Sequence, residues 1–321
     1  MRRMLVVAVA MLALAACEKK KKKEAGTERR AGGPGGAGAT GRDQAAPPPA
    51  PGEARVELLA SGADPRRPLR YQLKAGVSLD FVMVMRMNMQ MTLNGTVAPV
   101  PEMPAMTMNM KLEVGEVTAA GARWSARVTS TEVAQGGNPS VVQAMSTAIA
   151  AMKGLSFKGT ISPTGRMSDV QIEVPAGVPP QAAQMMDSMK QQMNQMAVPF
   201  PDEAVGVGAK WRVTQKLTAN NVALTSVMEN RLDSFEGQQA KVTVSLTQKA
   251  EKQKVPLPGT GMSADLTSMS GSGGGTLDYD LGKAPWPVVM DMNVDLDMAM
   301  SMQGSQEISM KMGMQVSGRT Q

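Results

Sequence analysis

The sequence predicts a mainly antiparallel β protein with one or two amphipathic helices, its sheet curved or rolled into a partly open barrel, built from two degenerate repeats. Three observations carry this. First, apolar residues recur at alternate positions, the pleat period of a strand: Leu79, Phe81, Met83, Met85, Met87, Met89, Met91 and Leu93, with mostly polar residues between them. The pattern returns at Met106, Met108, Met110, Leu112 and Val114. It returns again at Met290, Met292, Val294, Leu296, Met298, Met300 and Met302, and at Ile308, Met310, Met312, Met314 and Val316. Second, two segments follow a helical period instead. Third, glycine-centred turns followed by strand patterns recur at a constant spacing.

The N-terminal segment concerns location rather than fold. Arg2 and Arg3 precede an apolar stretch over residues 4–13, too short to span a bilayer as a helix and of signal-peptide length. It ends in Leu14-Ala15-Ala16-Cys17. This tetrad resembles the bacterial lipobox, and the resemblance implies cleavage before Cys17, acylation of that residue and anchoring in a lipid bilayer without a transmembrane helix. Cys17 is the sole cysteine, so no intrachain disulfide can form. Glu18, rather than aspartate, follows it, which by the same resemblance points to the outer membrane facing the periplasm.

Residues 18–55 are rich in Gly, Ala and Pro and carry nine basic against five acidic residues, including lysine at every position from 19 to 23. A segment this poor in large apolar residues cannot offset its ordering entropy and reads as a disordered tether. Its r.m.s. reach is roughly 35 Å, and its lysines suit anionic headgroups. Residues 56–321 hold 23 basic and 23 acidic residues, so the net charge of +6 belongs to the leader and tether. A neutral domain behind an export signal argues against nucleic-acid binding.

The expected organisation is a signal peptide over 1–16, lipidated Cys17 with the tether over 17–55, a first β-rich half over 56–180, helix and linker over 181–202, and a second β-rich half over 203–321. Gly121 and Gly237 lie 116 residues apart, as do Gly159-Thr160-Ile161 and Gly275-Thr276-Leu277. Residues 139–153 place Val142, Met145, Ile149 and Met152 on one helical face; residues 180–196 do the same for Met185, Met189, Met193 and Met196. Such helices could cover the apolar face of the sheet. Residues 255–275, rich in Pro, Gly and Ser, read as a loop, and Asn94-Gly95 as a turn.

The chemistry left to the chain is narrow. It contains no histidine, and its one cysteine is expected to carry lipid. Ser-His-Asp and Cys-His catalysis, the common zinc sites and histidine acid/base work are therefore unavailable. Asp291, Asp295 and Asp297 share the polar face of one strand pattern and read as solvated charge opposite Lys311, not as a calcium or catalytic site. There is no Walker loop, dinucleotide fingerprint or nucleophile elbow. No enzyme activity and no cofactor are expected.

The thioether ladders admit three readings: core filling by adaptable side chains in a structural or envelope-interaction lipoprotein, a lining for a lipid or other apolar ligand, and Cu(I) or Ag(I) binding by soft sulfur. The second is the principal expectation. Its lining candidates are Met83, Met85, Met87, Met89, Met91, Met106, Met108, Met110, Met290, Met292, Met298, Met300, Met302, Met310, Met312 and Met314. A curved antiparallel sheet with covering helices resembles lipid-binding lipoproteins of the LolA, LolB and LppX type. The lipobox, the tether and the start Tyr71-Gln72-Leu73-Lys74-Ala75-Gly76 are similar to those of uncharacterised bacterial lipoproteins, a resemblance that implies no activity.

Overall fold

The computed structural model describes residues 54–173, 198–219, 221–256, 263–302 and 306–321. Cys17, the tether and the helical period over 180–196 lie outside the described residues. The strands are β1 (Ala54–Ala60), β2 (Arg67–Pro68), β3 (Ser78–Leu93), β4 (Thr96–Ala98), β5 (Met106–Thr118), β6 (Gly121–Val133), β7 (Ser156–Ile161), β8 (Met167–Glu173), β9 (Ala204–Val205), β10 (Lys210–Ala219), β11 (Val222–Glu236), β12 (Gln239–Ala250), β13 (Gln253–Pro256), β14 (Ser263–Asp280), β15 (Val289–Met302) and β16 (Gln306–Thr320). Among the described residues one helix is present, α1 (Pro139–Ala150).

Fourteen of these strands form one antiparallel sheet in the order β1-β10-β11-β12-β14-β15-β16-β3-β5-β6-β7-β8, with β13 beside β14 and β4 beside β3. The sheet does not close into a barrel. Its two ends are nevertheless drawn together at one point, where Arg166 Nη1 donates to the Ala54 carbonyl oxygen at 3.0 Å. The mainly antiparallel, curved-sheet expectation therefore holds.

The order contains the same five-stranded meander twice: β3-β5-β6-β7-β8 and β10-β11-β12-β14-β15. The registers repeat as well. Val114 pairs with Trp124 and, past a bulge, Val117 with Ala122; Leu232 pairs with Val242 and, past a bulge, Ser234 with Lys241. Ala122 pairs with Ile161, and Ala240 with Tyr279. Even the strand entries match: Gly76 N–H donates to Val114 O while Val114 N–H donates to Val77 O, and Gly208, Leu232 and Ala209 repeat that exchange.

The spacing is 118 residues (114 to 232, 122 to 240, 161 to 279), not 116. Glycine matching aligned Gly121 with Gly237, but Gly237 sits inside its hairpin turn with φ +53°, at the place Ala119 occupies in the other. β16 joins the meanders by pairing with β15 and β3, and β1 adds to β10.

Packing divides the apolar face of the sheet into a base and a wall. At the base, the segments around residues 69–77, 198–209 and 281–286 fold back onto the strands and bury two cores. One contains Leu69, Phe200, Trp211, Leu232, Val242 and Tyr279; the other contains Phe81, Leu112, Trp124, Val128, Phe157 and Ile161. Tyr71 and Met290 pack against both. Backbone bonds secure the fold-back: Tyr71 N–H to Pro163 O, Gln72 N–H to Leu281 O and Phe200 N–H to Thr164 O. All three Trp, both Tyr and all four Phe of the chain lie in or against these two cores. The wall is the continuation of β14, β15, β16 and β3 away from the base.

Two expectations are corrected. Much of 255–275 is strand: Val255 and Pro256 end β13, and β14 runs through Gly271, Gly273, Gly274 and Gly275. Glycine is depleted in strands except where backbones approach closely, and that exception governs here. The α1 helix forms as its period predicts, with Asn138 Oδ1 accepting from Ser140 N–H at 3.0 Å and Pro139 opening its first turn. It packs beside β6, where Thr131 Oγ1 donates to Ile149 O, and does not cover the wall.

Candidate functional site: a methionine wall

Directly opposed residues of an antiparallel pair project to the same face, so the ladders can be assembled into rows across three strands. From the base upward, the rows on β15, β16 and β3 are Met290–Gly318–Met83, Met292–Val316–Met85, Val294–Met314–Met87, Leu296–Met312–Met89, Met298–Met310–Met91 and Met300–Ile308–Leu93. Met108 and Met106 extend the first two rows onto β5, Met110 stands opposite Phe81, and Met302 lies above the sixth row. The ladder methionines thus converge on one continuous surface. At two residues per row and about 3.3 Å per residue, it is roughly 33 Å long.

The exposure of this surface separates it from the cores. Among the described residues, the buried apolar set is Leu, Val, Ala, Ile, Phe, Trp and Tyr, with Met310 its one methionine at 9 % exposure. The other ladder methionines are half-buried. Met83, Met108, Met110, Met290 and Met292 touch the base cores, and Met298 and Met300 touch a small cluster around Val222, Val255 and Leu266. Among the described residues methionine is therefore sparse in the buried set and concentrated on the half-buried face.

A glycine stripe on β14 shapes one side of the wall. Gly271, Gly273 and Gly275 stand opposite Leu296, Val294 and Met292. A Cβ at Gly275 would run into the Asp291 carbonyl oxygen and lie 2.8 Å from Met292 Sδ; one at Gly273 would run into the Asn293 carbonyl oxygen. The side chains of β15 lean into this trough: Met292 Sδ, Val294 Cγ2 and Leu296 Cδ1 lie 2.8, 3.1 and 3.3 Å from where Cβ atoms at Gly275, Gly273 and Gly271 would stand.

The opposite face is polar. Asp291, Asn293, Asp295 and Asp297 are exposed, and Lys311 Nζ lies 3.9 Å from Asp297 Oδ1. Among the described residues no group of His, Cys, Asp or Glu is arranged to hold a metal ion. A cleft of about 340 Å³ lies over Ser78, Glu113, Gly115, Arg123 and Lys158, and another of about 330 Å³ over Arg67, Arg70, Phe235 and Gln238. Neither is lined by the wall methionines, which among the described residues are half-buried, with Met310 buried. The notable titration shifts lie in the base: burial, with Tyr279 adding to it at Tyr71, pushes both tyrosine hydroxyls well above their ordinary value.

Sequence reasoning found the wall's residues but missed the stripe, having read it as loop. Apart from Phe81, which shares the first ladder, it did not gather the aromatics into the base cores, because single aromatic residues scattered through the chain carry no period. No helix among the described residues is long and apolar enough to cross a membrane.

Residues 184–284 match the model of a family of unknown function, DUF6263. That span runs from outside the described residues through β9–β14 and ends before the wall strands β15 and β16. No curated protein matches the chain.

Proposed function

We propose that the chain is a non-catalytic envelope lipoprotein, anchored through acylated Cys17, whose methionine wall holds an apolar ligand of the lipid class. One observation carries the reading: among the described residues methionine is gathered on one half-buried sheet face and is absent from the buried members of the two base cores. Core filling alone would distribute it the other way. A half-buried thioether surface leaves apolar area that a guest would remove from water, at about 25 cal/mol per Å². Flexible, unbranched side chains let one surface fit chains of differing shape. The resemblance of Leu14-Ala15-Ala16-Cys17 to a lipobox supports a position from which the wall meets lipid.

The full chain, purified gently in mild detergent from its own membranes, is expected to carry lipid by native mass spectrometry and to take labelled phospholipid from vesicles. Introducing Met89→Asp with Met312→Asp puts two charges in the fourth row and should reduce uptake at least tenfold while leaving far-UV circular dichroism unchanged. A wild-type chain that carries no lipid and acquires none removes the reading and leaves the structural, envelope-interaction role. The anchor is tested separately: Cys17→Ala should release the chain from the membrane pellet, and a variant that still pellets like wild type contradicts it.

A further inference from the structure

The lipid reading explains an adaptable apolar wall but does not require thioethers to face one another in register. Val294 and Leu296 show that branched aliphatic side chains are accommodated on the same face, in the same rows as Met314 and Met312. Yet β16 and β3 present thioethers to one another in three successive rows, Met314 with Met87, Met312 with Met89, and Met310 with Met91. Directly opposed Cβ atoms stand about 5 Å apart and alternate residues along a strand about 6.7 Å apart. The four Cβ atoms of Met89, Met91, Met310 and Met312 therefore form a rectangle whose corners lie only about 4 Å from its centre. A methionine sulfur, two bonds beyond Cβ and carried on freely rotating torsions, can turn inward from every corner.

From this we infer that the rectangle Met89–Met91–Met310–Met312 is a binding site for a soft monovalent d¹⁰ cation, Cu(I) or Ag(I). The donor set selects the ion. Thioethers are soft and neutral, so they favour Cu(I) and Ag(I) over hard divalent ions. A single positive charge is also the least costly to hold on a face with no anionic ligand. Met310, the most buried thioether of the wall, stands at one corner and shields that side of the ion from water, while the half-buried remainder leaves a path of entry. The chain has no histidine and one cysteine to compete for such an ion. The site occupies part of the proposed lipid face but does not depend on a lipid binding there.

The test uses the full chain in detergent and chloride-free buffer, with silver nitrate as a redox-inert probe, followed by Cu(I) titration against bicinchoninate. Wild type should retain Ag(I) in native mass spectra. The fourfold variant M89L/M91L/M310L/M312L should bind it at least tenfold more weakly, whereas the base-packed control M228L/M167L should not differ from wild type. Leucine conserves volume, so the fourfold variant should keep the far-UV circular dichroism of wild type. Loss of silver with that signal retained, and with silver binding unchanged in M228L/M167L, assigns the site, and absence of lipid uptake in wild type bears only on the lipid reading. Should the fourfold variant lose its β-sheet circular dichroism, M89L/M312L alone should weaken silver at least threefold. Wild type retaining no Ag(I), or leucine variants that bind it as wild type does, overturns the inference.

Discussion

Gly275→Val should destabilise the protein by about 3 kcal/mol or more, read as the shift in urea midpoint at constant slope. The added side chain has nowhere to go: its Cβ is directed at the Asp291 carbonyl of the neighbouring strand, and Met292 already occupies the trough above it. Backbone cannot yield as the end of a flexible side chain can. The contrast along the stripe is the informative part. At Gly271 a Cβ would meet Gln248 Cβ at 3.2 Å and Leu296 Cδ1 at 3.3 Å, side chains able to shift by a few tenths of an ångström. Gly271→Ala should therefore cost only about 1 kcal/mol. Equal losses at the two positions would mean that the close approach of the Asp291 carbonyl is not what requires glycine at position 275.

Trp211→Ala should cost about 3–5 kcal/mol. The side chain is fully buried among Leu232, Val242 and Leu277, and its ring meets Phe200 edge-on with centroids 6.5 Å apart. Its indole Nε1 has no hydrogen-bond partner among the described residues, so the loss is one of packing and cavity formation. Trp211→Phe keeps most of the apolar volume and removes the unpaired donor, and should cost clearly less. A loss under 1 kcal/mol for the alanine variant would show that the base collapses around the vacancy, against the close packing described.

The strands were readable because alternation is a local property: Leu79 to Leu93 declares its pleat without reference to any partner. What alternation leaves open is whether a second layer covers the apolar side. Among the described residues, Met87, Met89 and Met314 are half-buried while the base is closed by segments far away in sequence. The duplication was visible as a spacing but misregistered by two residues, because glycine marks different positions in the two hairpins. β14 was misread because glycine weakens a strand intrinsically and is retained only where tertiary contact demands it, which no local pattern discloses. The pairings of β16 with β3 and β1 with β10 are likewise long-range and outside the reach of periodicity.

The segregation of aromatic base from thioether wall divides what each optical or magnetic probe can observe. Intrinsic fluorescence originates in Trp124, Trp211, Trp286, Tyr71 and Tyr279, all within or against the base cores, so an emission change reports the integrity of the base. A guest or ion settling on the upper rows would leave that emission nearly silent. The methyl resonances of isotopically labelled Met87, Met89, Met312 and Met314 would move instead. A fluorescence screen for ligands would thus return false negatives on this protein, whereas methionine-methyl spectra watch the wall directly.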